Sequence, residues 1–249
     1  MHFLKVRRGG FDTETTGPLP EEARIVSAAL VLRGGHNQAN EKRTWLINPG
    51  VPIPDEATTV HGITTEQVKA EGQEPKAALE EIAVQLADAI NAGVPIVAFN
   101  LSFDWTVLAH ELRRHDLAPM SERIAATHPA LIDPHVIDKH VDRFRKGSGR
   151  RKLKPTAEIY GVRLTDWHTA EADALAALFI AEAQFQKYAW LNALGPAGLY
   201  GAQQGWRAEQ QAGLQEWFRT RATPEQGGAP DKVIDGSWPL LRLPVAVAS

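Results

Sequence analysis

The sequence predicts an α/β protein built on a mixed sheet. Two observations lead there. Three strand-like runs follow one another in a meander near the start, and short apolar strands then alternate with amphipathic helices. A third feature, acidic residues set at the ends of those elements, points beyond the fold to chemistry.

The first strand ends in "GGFDTETTG" and turns at Thr16-Gly17-Pro18. "RIVSAALVLR", 24–33, and "EKRTWLINPG", 41–50, read as the second and third strands, with Gly34, Gly35 and Asn37 as the hairpin connection. Residues 48–73 read mostly as loop, with "VHGIT" inside. From Glu74 to Ala92, Ala78, Leu79, Ile82, Leu86, Ala89 and Ile90 recur at helical spacing, and Gly93 suits a C-terminal cap. "VPIVAFN", 94–100, is a short apolar strand. Ser102 then reads as the cap of a helix with Val107, Leu108 and Leu112 on its inner face. "ALIDP", 130–134, is a further strand, and Leu153–Tyr160 and Ala170–Lys187 are helices. Beyond residue 195 the chain becomes rich in Gln, Gly and Trp around a helical middle, then in Pro and Gly. The expected organisation is therefore a domain over 1–194 and a tail over 195–249, partly helical and then extended or disordered.

Composition narrows the function. The chain has 249 residues, 43% apolar and 23% charged, with a net charge of −3 and no cysteine. That is ordinary for a globular protein and excludes thiol nucleophiles, disulfides and cysteine zinc sites. No apolar stretch approaches the roughly 18 residues a membrane span needs. "MHFLKVRRGG" has no apolar segment after its basic residues, so a signal peptide is not expected and a cytoplasmic location is.

Asp12 and Glu14 are two apart on a strand, so both project from one face, roughly 6 to 7 Å apart. Thr13 points to the other face. Asp104 begins a helix after a buried strand, and Asp173 heads the apolar stretch "ALAALFIA", five residues after His168. Each alone suits a solvated strand end or a helix-dipole charge. Clustered, four carboxylates would repel strongly without a cation between them. Oxygen-only sites suit Mg²⁺ or Mn²⁺, and two such ions clamp in-line attack at phosphorus. Imidazoles titrate near pH 6.5 in general, so a histidine beside the acids can accept a proton from water.

These residues fall in three ordered motifs that resemble the DnaQ-like exonucleases, in the DEDDh branch of the DEDD superfamily that includes the proofreading ε subunit of DNA polymerase III. "FDTETTG" resembles the first motif, "NLSFD" the second and "HTAEAD" the third. The resemblance covers roughly residues 8–187. It implies a ribonuclease H-like mixed five-stranded sheet flanked by helices, with the C-terminal helical and extended tail added. It also implies Asp12, Glu14, Asp104 and Asp173 as ligands of two Mg²⁺ or Mn²⁺ ions, His168 as general base, and 3′–5′ exonuclease activity releasing 5′-mononucleotides. It further suggests His61 of "VHGIT", Thr15, Asn100 and Phe103 as contacts to the 3′-terminal nucleotide. Asp133 of "LIDPHVID" reads as structural rather than as a fifth ligand.

"RFRKGSGRRKLK", 143–154, is basic throughout, and Arg150, Arg151 and Lys152 are expected on the phosphate backbone. DNA is favoured over RNA on the likeness of "DTETTG" and "VHGIT" to ε-like members. RNA trimming, or a role chiefly as a binding platform within a polymerase or repair complex, are the alternatives. In the tail, Gln211, Leu214, Trp217 and Phe218 resemble a sliding-clamp peptide, which would add a clamp or polymerase as a partner. Their helical spacing favours simple docking on the chain's own domain.

Overall fold

A computed structural model describes residues 2–36, 38–145, 147, 149–163 and 168–242. Asn37 of the hairpin connection, Lys146 and Ser148 of the basic stretch, and residues 243–249 of the tail lie outside the described residues.

Strands β1 (Arg8–Thr15), β2 (Ile25–Arg33) and β3 (Glu41–Leu46) form an antiparallel meander. Strands β4 (Ile96–Val97) and β5 (Leu131–Ile132) run parallel to β1 on its other side, giving the order β3-β2-β1-β4-β5. This is the mixed five-stranded sheet that the sequence implies.

Alternation along the strands divides the core between two faces. Phe11, Leu30, Ile96 and Leu131 face helices α3 (Pro75–Asn91) and α4 (Leu101–Arg114), packing with Leu79, Ile82, Leu86 and Leu108. Ala29 and Val31 on the opposite face meet Ala170 and Ala174 of α8 (Ala170–Lys187), and Val97 and Ile132 meet its Leu178 and Phe185. Helix α8 runs over the residues read from the sequence. Its many alanines give a thin face, which lets it lie close to the sheet.

Several local expectations change. Residues 48–73 hold two short helices, α1 (Asp55–His61) and α2 (Thr65–Glu71), too brief to show a clear helical period. Thr64 caps α2 by accepting from the Gln67 backbone. Ser102 is not a cap. Asn100, in the left-handed conformation at φ 64°, occupies that position, and Ser102 is buried within the first turn. β3 ends at Leu46, and Ile47 beyond it both donates to Val26 O and bridges to Gln73. Short helices α5 (Met120–Arg123) and α6 (Pro134–Val141) flank β5, and α7 (Leu153–Ile159) precedes α8.

Beyond residue 195, α9 (Gly195–Thr220) runs for 26 residues. It buries Leu199, Gln203, Arg207 and Gln211, a stripe of every fourth residue. Gln203 accepts from Asp133 N at 2.7 Å and donates to Leu131 O at 2.9 Å. These are the outward backbone groups of edge strand β5, so one side-chain amide does there what a sixth strand would do. Further on, Trp238 is buried and Leu241 N donates to Thr106 Oγ1 at 3.0 Å, which pins part of the expected free tail to α4. Among the described residues, no helix is long and apolar enough to cross a membrane.

Candidate active site

The acids meet because β1 carries Gly10. A Cβ at Gly10 would lie 2.3 Å from the Ala174 carbonyl oxygen, inside contact distance. Only glycine lets α8 come this near. Gly10, Asp12 and Glu14 share one strand face, so the close approach carries Asp173, the residue before Ala174, onto the two acids. One carboxylate oxygen from each of Asp12, Glu14 and Asp173 lies within 4.8 Å of the others.

Asp104 comes from the opposite side of the sheet. The Gly9 N–H points toward β4 and donates to Pro95 O. The Thr13 N–H points the same way four residues later, but β4 has ended at Val97. Asp104 Oδ1 fills the gap, accepting from Thr13 N at 3.0 Å and from Thr13 Oγ1 at 2.7 Å. Thr13 does face away from Asp12 and Glu14, as its strand position requires, and it anchors a carboxylate there. Asp104 thus stands outside the close trio, yet its charge reaches it.

The electrostatics record the crowding. Burial, followed by the charges of Asp104, Asp173 and Glu14, holds the Asp12 carboxyl well above the usual carboxylate range. Burial, then Asp173 and Asp104, pushes Glu14 up to about 7. Asp104 is likewise pushed up to about 7, chiefly by burial, against the Thr13 hydrogen bonds. Burial also raises Asp173, opposed by the backbone N–H and the charge of His168. Asp173 Oδ1 is buried with no hydrogen-bond partner. An orphaned carboxylate oxygen beside two further acids fits a divalent cation, whose charge would relieve each of these shifts.

His168 is exposed, has φ 64°, and stands just before Thr169, the cap of α8. It lines a cavity of about 300 Å³ with Glu14 and His61. The two imidazoles differ. His61 Nδ1 accepts from the Ile63 backbone N–H at 3.1 Å, so a neutral His61 carries its proton on Nε2. Burial lowers its pKa, with the Thr15 backbone opposing, which keeps it neutral and a donor.

Thr15 ends β1 beside His61, its Oγ1 donating to Gly17 O at 2.9 Å. Asn100 and Phe103 are half-buried at the start of α4. Asp133 is fully buried and accepts from the backbone of Asn100, Leu101 and His135 at 3.0 Å each, as a structural reading requires. The basic stretch divides. Arg150 and Lys152 are exposed, whereas Arg151 donates to the buried Asp138 at 2.9 Å. Arg151 therefore holds the loop to α6, and its guanidinium is partly engaged within the fold.

Thr13 lies inside the first motif but is none of its acids, and Gly10 and the α9 pair Gln203 and Arg207 lie outside all three motifs, yet all four support the site. The double glycine inside a strand was a readable signal of close approach. The other three carry no local signal, since their partners lie far along the chain.

A family model described as an exonuclease, named for ribonuclease T, matches residues 10–181, more than half of the chain. The chain belongs to this exonuclease family. The matched span holds all of the acids, His61 and His168, so the resemblance to DnaQ-like exonucleases stands at the level of the family. A DNA polymerase III subunit epsilon-like protein of Rhodobacter capsulatus is 45% identical over 60 residues, 23% of this chain and 8% of that protein. An uncharacterized exonuclease of Escherichia phage 186 is 47% identical over 66 residues, 26% of this chain and 31% of that protein. Among solved structures, the zinc-bound E. coli exonuclease I complex with single-stranded DNA matches with a TM-score of 0.62 at 18% identity, over 76% of this chain and 42% of that one. An exonuclease I from Methylocaldum szegediense matches with a TM-score of 0.59 at 19% identity, over 87% and 46%. The exonuclease fold is thus shared with proteins of which this chain spans less than half the length.

Proposed function

We propose that this exonuclease-family chain is a metal-dependent 3′–5′ exonuclease acting on single-stranded nucleic acid, DNA in preference to RNA, and releasing 5′-mononucleotides. The observation that carries the reading is the convergence of Asp12, Glu14 and Asp173 around an orphaned carboxylate oxygen. Those three residues, with Asp104 adding charge from the far side of β1, would hold two Mg²⁺ or Mn²⁺ ions. When bound, the ions would supply Lewis-acid stabilisation of the attacking and leaving oxygens.

The chain's own residues do the rest. His168, exposed and beside Glu14, takes the proton from the attacking water as its oxygen bonds to phosphorus. The P–O3′ bond breaks, and the departing 3′-oxygen is protonated from solvent. His61 is unsuited to be the base, since Nδ1 already accepts a hydrogen bond and Nε2 is buried, and it serves as a contact to the terminal nucleotide. Thr15, Asn100 and Phe103 line the approach, and Arg150, Lys152 and the partly engaged Arg151 meet phosphates farther along the strand. The structures of E. coli exonuclease I with single-stranded DNA and with a dT13 oligonucleotide support the choice of a single strand of DNA. The epsilon-like relative supports a second role beside a polymerase.

The test is a time course on 5′-labelled DNA and RNA of one sequence, with Mn²⁺ and with EDTA. A descending ladder only with Mn²⁺, faster on DNA, is expected. A faster RNA ladder would reassign the sugar, and no ladder on either strand would overturn the enzymatic reading.

A further inference from the structure

A second surface has the chemistry of nucleic-acid recognition. The groove between α6 and α9 encloses about 840 Å³ and is walled by Lys139, His140, Arg143, Trp206, Leu214 and Trp217. Arg145 and Arg151 also line it, both paired with the buried Asp138. Glu209 lies 3.7 Å from Arg143. Asp142 lies 3.4 Å from Arg145, so four cations against three carboxylates leave the groove with one positive charge in excess on a chain whose net charge is −3.

Its rim is aromatic. Trp206 stacks on His140 with centroids 4.1 Å apart, and Trp190 meets Trp206 edge-on at 6.0 Å. Trp217 is 37% exposed and Leu214 39%. Phe144, between Arg143 and Arg145, is 86% exposed. One exposed apolar side chain is ordinary, but two lining one positive groove, with a third set in sequence between two of its arginines, are a concentration that folding does not require. The docking expected of Leu214 and Trp217 on the chain's own domain is not found, since both are exposed. With its amide oriented to accept, Gln211 lies buried 2.7 to 3.0 Å from the Arg207 guanidinium nitrogens, and Leu214 and Trp217 line the groove instead.

Aromatic faces interleaved with cations match bases and phosphates of an unpaired strand. A duplex offers no free base faces, and an acidic peptide would use the cations without the rings. Asp133 joins the two regions: it caps α6, which carries Lys139 of the groove, and it accepts from the Asn100 and Leu101 backbone at the head of α4, which carries Asp104.

We infer that the α6–α9 groove binds single-stranded nucleic acid, with bases on Trp217 and Phe144 and phosphates on Lys139 and Arg143, and holds the strand 5′ of the nucleotide at the acid cluster. The last clause rests on the exonuclease reading; the binding itself does not.

The full chain in EDTA, titrated with dT20 and followed by tryptophan fluorescence, tests it. Trp217→Ala and Phe144→Ala should each weaken dT20 binding roughly tenfold. Arg143→Gln should lower the slope of log affinity against log salt by about 0.7. Poly-glutamate is the control. Unchanged dT20 affinity in both aromatic variants, or equally tight poly-glutamate binding, would overturn the proposal. With Mn²⁺ added, these variants should still trim a trinucleotide at the wild-type rate while losing rate on dT20. A wild-type chain that binds dT20 through Trp217 but trims nothing would sink the exonuclease reading and leave the groove standing.

Discussion

Thr13 gives both its backbone N–H and its hydroxyl to one oxygen of Asp104, at 3.0 and 2.7 Å across 91 residues of sequence. This contact fixes the carboxylate that approaches the acids from behind the strand. Thr13→Val keeps the shape and removes the hydroxyl. It should cost about 1–3 kcal/mol of stability and lower trimming about 10- to 100-fold, with a weaker response to Mn²⁺. Thermal melts and a Mn²⁺ titration of rate check this. Wild-type rate at limiting Mn²⁺ would mean that Asp104 needs no such support.

Gly10→Ala tests the close approach of α8. The new methyl would meet the Ala174 carbonyl at 2.3 Å, which is backbone and cannot swing aside. Overpacking of this kind costs about 1–3 kcal/mol. The helix should shift and take Asp173 away from Asp12 and Glu14, so trimming should fall at least tenfold even well below the melting temperature. Full activity in a folded Gly10→Ala chain would show that α8 can move without disturbing the trio.

The carboxyl shifts set a pH dependence for the metal-free chain. Glu14 moves from an ordinary 4.5 to about 7, and Asp12, Asp104 and Asp173 are raised as well. Between those values the folded chain holds protons that the unfolded chain has released. Stability therefore falls as pH rises through that window, and it stays lower above pH 7. A tenfold change in proton affinity is about 1.4 kcal/mol, so Glu14 alone accounts for roughly 3 kcal/mol. In EDTA the melting temperature should drop from pH 5 to pH 8, and Mn²⁺ should raise it more at pH 8. A flat profile, or equal Mn²⁺ gains at both values, would contradict the crowded, cation-seeking site. Asp12→Asn should make the EDTA drop smaller, leaving the share of Glu14, and abolish the Mn²⁺ gain.

The two histidines should separate kinetically. His168→Ala should reduce kcat about 10²- to 10⁴-fold with an unchanged melt, because the side chain is exposed. His61→Ala should chiefly raise KM, because the residue lines the cavity and its Nδ1 is already engaged by the Ile63 backbone. Single-turnover rates against oligonucleotide concentration distinguish the two, and the reverse pattern would exchange their roles.

Arg207→Met tests the support from α9. Asp133 is buried and feels the Arg207 charge without a direct ion pair, and Arg207 also satisfies the buried Gln211 amide, so its loss should cost about 1–3 kcal/mol. Denaturant melts should show a loss of that size. A loss under 1 kcal/mol would mean that the backbone donors alone hold Asp133.

The sequence by itself determined the sheet order's ingredients and the shared face of Asp12 and Glu14. Strand and helix periods are set by bond geometry within a few residues, so Asp-x-Glu must project together and α8 could be read from end to end. Short helices such as α1 and α6 escaped that reading because one or two turns hold too few residues to show a period. Only the tertiary structure decided that Asp104 arrives through Thr13 from the opposite face, and that Arg151 is held by Asp138 while Arg150 is free to solvent. It also decided that Gln203 closes the edge of β5. Each joins groups distant in sequence, or sets one side chain's direction among neighbours, and such pairings follow from packing of whole elements, which no local spacing records.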